Sequence, residues 1–200
     1  MPVQTTTTTA NRDKAKGIFD YEGHRFRMRV EPDDSLGPPW KENDGHGIIS
    51  DWTHRDKAPS ERILVSDRGS HRYYNIAETM KLAEADGWGL SPQAETELAA
   101  RLGHPPTKGE IRAAAVEADY DRMREWCEGG WYWVFVSVTL MKTDEDAPGG
   151  YFETKHYAAL GGIESDSGDY LNEVARELAG EILVEIQSAK VETAPTSDNE

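Results

Sequence analysis

Side chains able to do chemistry are concentrated between positions 44 and 72: Asp44, His46, Asp51, His54, Asp56, Asp67, Arg68, His71 and Arg72. Neutral imidazole and carboxylate suit Zn²⁺ or Mn²⁺, so His46 and His54 with Asp51 or Asp67 form a candidate ligand set. The spacing fits no defined metal pattern. There is no His-Glu-x-x-His, and the single cysteine, Cys127, offers no pair. The expectation is therefore no metal and no cofactor. Asp67-Arg68-Gly69-Ser70 reads in two ways. Backed by Arg68 and Arg72, it would cradle an anion through a glycine turn. Alternatively, Asp67 and Ser70 simply build a turn that reverses the chain, and the lack of P-loop spacing favours that reading. His46, Asp51, His54, Asp67, Arg68 and Arg72 thus make an alternative site, that of a small enzyme or an anion- or metal-binding protein. Nucleophilic catalysis has less support. Cys127 falls at the end of a helical pattern, where the helix dipole raises a thiol pKa, and no Gly-x-Ser-x-Gly is present. No catalytic residue is assigned, and whether the protein is an enzyme stays open, with the residues leaning against it.

A second pattern is electrostatic. Glu173, Glu177, Glu181 and Glu185 recur at i, i+4 spacing along the last helical segment, opposite an apolar seam. Like charges at that spacing cost about 0.2–0.5 kcal/mol per pair. They stand ~6 Å apart along the axis, close to the phosphate spacing of one nucleic-acid strand. Such a ridge would mimic a nucleic-acid backbone and occupy a basic groove on a protein. The plainer reading is a solvated helix face that serves solubility.

The elements that must position these residues follow from periodicity. Ile18 to Tyr21, Glu22-Gly23 and His24 to Val30 read as a hairpin, with Phe26, Met28 and Val30 on one face. Arg25, Arg27 and Arg29 occupy the other face, read as a solvated edge that blocks sheet-to-sheet pairing. Residues 31–60 are punctuated by proline and glycine and read as a long irregular loop, a length often tied to function. Arg62 to Val65 is a short strand and Arg72 to Tyr74 a brief extension. Three helices follow: one capped by Asn75 with Glu78, one opened by Ser91-Pro92, and one opened by the Thr107/Glu110 box and running to about Cys127. Trp131 to Lys142 is apolar on both faces and reads as a central strand. Tyr151 to Ala159 is its hairpin partner, and a helix from about Asp169 to Ser188 closes the pattern. This order predicts an α+β fold, an antiparallel sheet of about four to five strands packed with three to four helices. Residues 17–188 would form a single domain, with disordered tails at 1–16 and 189–200.

Composition bounds the function. Lys+Arg 22 against Asp+Glu 37 gives a formal net charge of −15. Residues 131–200 alone hold four Lys/Arg and fourteen Asp/Glu. A field of that sign repels nucleic acid and anionic membrane and attracts basic partners. No segment approaches a membrane span, and the N-terminus lacks the apolar core of a secretory signal. With one cysteine, a cytoplasmic home is expected.

Two stretches resemble an uncharacterised group of small acidic proteins from bacteriophages and mobile elements. One runs from Asp44-Gly45-His46-Gly47 through Ser50-Asp51-Trp52, Asp56-Lys57-Ala58-Pro59 and Ser66-Asp67-Arg68-Gly69-Ser70 to Asp86-Gly87-Trp88-Gly89. The other is Gly161-Gly162-Ile163-Glu164-Ser165-Asp166-Ser167-Gly168-Asp169-Tyr170, running into Glu173-Val174-Ala175. The resemblance implies a phage-like origin and carries no activity or catalytic residue. With the ridge, it leads to the expectation of a binding protein in the host cytoplasm. Such a protein would inhibit a host nucleic-acid-binding or defence protein through that protein's basic surface.

Overall fold

Glu22 and Gly23 both take positive φ, 46° and 76°, the geometry that lets a two-residue turn match the twist of its strands. They join β1 (Gly17–Tyr21) to β2 (His24–Pro32), and the register places Phe19 opposite Phe26 with their rings stacked at 5.7 Å. The computed structural model describes residues 17–147 and 149–192. On its other side β2 pairs with β5 (Trp133–Thr143), which pairs in turn with β6 (Tyr151–Glu164). Every pairing is antiparallel, and the strand order is β1-β2-β5-β6. The central-strand reading of β5 holds. The edge reading of the arginines does not, because β2 is an interior strand. Arg25 instead pairs with Asp20 at 2.8 Å and lies over the Tyr151 ring. Arg27 and Arg29 both donate to Glu153 Oε1.

β6 runs to Glu164, beyond the expected end at Ala159 and through the Gly161-Gly162 pair. Val134 faces Ile163 while Val136 faces Leu160, so the glycines form a bulge. Gly162 has φ 73° and its N–H donates to Asp33 Oδ2 at 3.1 Å. One face of this sheet is covered by α5 (Tyr170–Glu192). Val174, Ala175, Leu178, Ala179, Ile182 and Leu183 are buried against Phe26, Met28, Val134, Val136, Val138 and Leu140. α5 extends beyond the expected end at Ser188, so residues 189–192 are helical. The tails expected at 1–16 and 193–200 lie outside the described residues.

The elements above belong to one compact unit, residues up to Leu36 and from Tyr132. Gly37–Trp131 form a second unit, placed in sequence between β2 and β5. The second contains α1 (Pro39–Glu42), β3 (Glu61–Asp67), β4 (Ser70–Asn75), α2 (Ile76–Ala85), α3 (Pro92–Leu102) and α4 (Lys108–Cys127). The predicted caps are in place. Asn75 and Ser91 side chains accept from Glu78 N and Ala94 N, and Thr107 with Glu110 closes a full capping box. α4 buries Ala115, Val116, Tyr120 and Met123.

β3 and β4 form a two-stranded sheet. The loop before them is more ordered than its prolines suggest. Ser50 N donates to Tyr73 O, Asn75 N to Ile48 O, and Thr53 and His71 exchange backbone bonds, all at 2.8–2.9 Å. Residues 48–53 thus satisfy the backbone groups of β4 that β3 leaves unpaired. The fold is α+β with antiparallel pairing throughout. Its described strands divide into sheets of four and two, and it has five helices among the described residues.

Candidate functional site

α5 presents the acidic ridge as the periodicity requires. The buried stripe fixes the helix rotation, and Glu173, Glu177, Glu181 and Glu185 are all exposed. Among the described residues none of the four makes an ion pair. A rotation of ~100° per residue makes successive members precess by about 40°, so the ridge winds around the helix as it climbs. Arg176 is exposed on the same helix. With Glu173 and Asp169 it lines a hollow of about 500 Å³ against Gly17 to Asp20.

The residues of the alternative site are brought only partly together: the Arg72 charge reaches Asp51, and His54 meets the Asp67–Ser70 turn. Asp51 pairs with Lys41 at 3.0 Å, and that partner holds its carboxyl below the usual aspartate range. His54 Nδ1 lies 3.2 Å from Gly69 O at the β3–β4 turn. Asp67 is 3.9 Å from Arg68, whose side chain is 94% exposed. Arg68 and Gly69 have φ 47° and 80°, so Asp67–Ser70 is a hairpin turn of the primed type. Arg72 is held between two indoles, 5.4 Å from the Trp40 ring and 5.2 Å from Trp52, and reaches Ser50 O at 3.4 Å. Among the described residues no three His, Cys, Asp or Glu side chains gather as a metal-binding group.

His46 belongs to a network that sequence reasoning missed. Its Nδ1 lies 2.8 Å from Asp119 Oδ1, with the side chains only 19% and 10% exposed. Asp119 Oδ2 accepts from Gly47 N at 2.8 Å and from Tyr74 Oη at 2.7 Å. Tyr74 is fully buried, and burial first, then the Asp119 charge, pushes its hydroxyl far above the usual phenol range. The hydroxyl therefore remains a donor at any ordinary pH. Ile48 N donates to the buried Thr79 Oγ1 at 2.9 Å. Together these bonds fasten the 46–48 backbone onto α4 and α2. A signal was available: Asp119 sits at i+3 from Val116 and i−4 from Met123, inside the buried face of α4. A carboxylate there needs donors, and the loop at His46-Gly47 and Tyr74 of β4 supply them.

Cys127 is half-buried at the end of α4. Its thiol is pushed up to about 11, by burial first, with the Arg72 charge opposing and Glu128 adding. The direction matches the sequence expectation, but desolvation is the main cause. A thiol so placed is a weak nucleophile at neutral pH.

Together these features define an α+β protein with a strongly acidic net charge. Comparison with protein-family models, curated proteins and solved structures gave no match. Among the described residues, no helix is long and apolar enough to cross a membrane.

Proposed function

We propose that the protein acts by binding, through the outward face of α5, a partner protein with a basic surface. The supporting observation is the contrast in how charges are used. Arg25, Arg27, Arg29, Arg55, Arg62 and Arg112 each hold a carboxylate. The four ridge glutamates of α5, Glu173, Glu177, Glu181 and Glu185, stand exposed without ion pairs among the described residues. Their mutual repulsion is tolerated and not relieved, which leaves them available to a partner's cations. The net charge of −15 directs this reading to a basic protein groove and away from nucleic acid itself. In a host cell such a groove belongs to a nucleic-acid-binding protein, including those of defence, and occupying it would inhibit that protein.

The test is charge reversal. Glu177→Lys with Glu181→Lys is expected to abolish retention of the partner in low-salt affinity capture. Its melting temperature should match the wild type, since like-charge juxtaposition at an interface costs several kcal/mol while exposed substitutions barely affect folding. Asp86→Lys with Glu97→Lys, exposed on the other unit, changes net charge equally and should leave capture largely intact. Equal loss from both double variants would reduce the ridge to a contribution to net charge and sink the proposal.

A further inference from the structure

The β5–β6 ladder is irregular near its hairpin end. Thr139 faces Tyr157 while Met141 faces Glu153, so residues 154–156 bulge out of register. His156 sits in that bulge, where the local kink re-aims a side chain. The last turns of α5 pass the same end of the sheet, and between them lies a hollow of about 470 Å³. Its apolar wall is core: Leu140 and Leu183 are buried, and Ile186 is half-buried above them. His24, Lys142 and His156 supply the polar side. A second hollow of about 600 Å³ shares His24 and Lys142 and continues toward Arg25 and Tyr151.

The charges at this hollow run against those of the unit around it. Acidic side chains outnumber basic ones there, and Arg25, Arg27 and Arg29 are committed to Asp20 and Glu153. Yet among the described residues neither Lys142 nor the imidazoles of His24 and His156 are held by a carboxylate. Three nitrogen-bearing side chains thus border an apolar slot in a size range typical of small-molecule sites. A lysine at such a rim lays its methylene stem on the apolar wall and keeps its ammonium at the mouth.

We infer that this hollow is a binding site for a small amphipathic anion, an alkyl carboxylate. The chain would lie on Leu140, Leu183 and Ile186, and the head group would be held by Lys142 between His24 and His156. The site lies on the face of α5 turned to the sheet, so it does not rest on the function proposed above.

Calorimetric titration of the full chain with decanoate tests it, with decyltrimethylammonium as the same chain under the opposite charge. Decanoate is expected to bind at one site, about tenfold tighter than octanoate, as the loss of two buried methylenes requires. Decyltrimethylammonium should bind at least tenfold more weakly. Lys142→Glu, at an exposed position, should reverse that preference without changing the melting temperature. Carbon-labelled Ile186, which lines the same hollow, should shift its methyl resonance on addition of decanoate. Equal binding of the two chains, a preference indifferent to Lys142→Glu, or an unmoved Ile186 methyl would each overturn the assignment.

Discussion

At the scale of single residues, Asp119 carries the sharpest consequence. It accepts from Gly47 N and Tyr74 Oη at 2.8 and 2.7 Å and lies 2.8 Å from His46 Nδ1, so deleting its carboxylate strands buried donors. Leaving a buried polar group unsatisfied costs roughly 1–3 kcal/mol, and Asp119→Ala is expected to lose about 2–4 kcal/mol in chemical denaturation. Asp119→Asn keeps an accepting oxygen and should lose less. A neutral Asp119→Ala would show that the network does not hold the loop. Gly47 supports the same arrangement, because a Cβ built there would overlap the Tyr74 ring. At this scale the sequence was only partly legible. The reactive residues from 44 to 72 stand out by type, but type does not say which of them meet. His46 finds its partner 73 positions away on α4, while Asp51, His54 and Arg72 are taken up by other partners within the same unit, Lys41, Gly69 and the Trp40 and Trp52 rings. Long-range pairing of this kind leaves one trace, a carboxylate in a buried stripe, and that trace was at Asp119.

Elements were more legible where their signals are local. The capping residues Asn75, Ser91 and Thr107 lie where side-chain oxygens must meet the first free N–H groups, and all three helices begin there. Two boundaries failed for physical reasons. The hairpin partner is expected to end at Ala159, but glycine permits the positive φ and close backbone approach of a bulge, so β6 continues through Gly161-Gly162. The arginine stripe of β2 looks like an edge because nothing local announces that β5, more than a hundred residues later, will pair with it. Prolines likewise disguised the 48–53 segment, whose bonds go to β4. For α5 the amphipathic period settles both faces at once, and the two faces should respond oppositely to mutation. Leu178→Ala opens the interior beneath β2 and β5 and is expected to cost about 2–4 kcal/mol. Glu177→Lys, one position earlier, should change stability by ~0.5 kcal/mol or less. Paired urea titrations check this, and similar losses at both positions would mean that the ridge is packed.

For the whole molecule, pH decides between two opposing electrostatic effects. The chain carries −15 at neutral pH, with a sequence pI near 4.8, so acidification first relieves self-repulsion. Against this stand carboxylates held below their ordinary range by partners in the folded state. Arg55 holds Glu61 with two bonds of 2.6–2.7 Å and Ala58 N adds a third; Glu153 is held by Arg29 and Arg27, and Asp20 by Arg25. For a group depressed on folding, the unfolded chain binds the proton first. Stability is therefore present above the unfolded pKa, about 4.3 for Glu, and is lost as pH falls through the folded value. The two effects cross, so stability should pass through a maximum near pH 5 and fall steeply below about 4. Glu61 isolates the second effect, because it is buried while its partner is half-exposed. Glu61→Gln removes the depressed carboxylate but keeps the shape of the side chain. It should be less stable than the wild type at pH 7, and the difference should shrink as pH falls through the folded pKa of Glu61, where the wild-type side chain is also uncharged. Denaturant midpoints of both proteins from pH 7 to pH 3 measure that difference directly. A gap that stays constant across the range would mean that Glu61 acts through packing and that its ion pair with Arg55 contributes nothing to acid sensitivity.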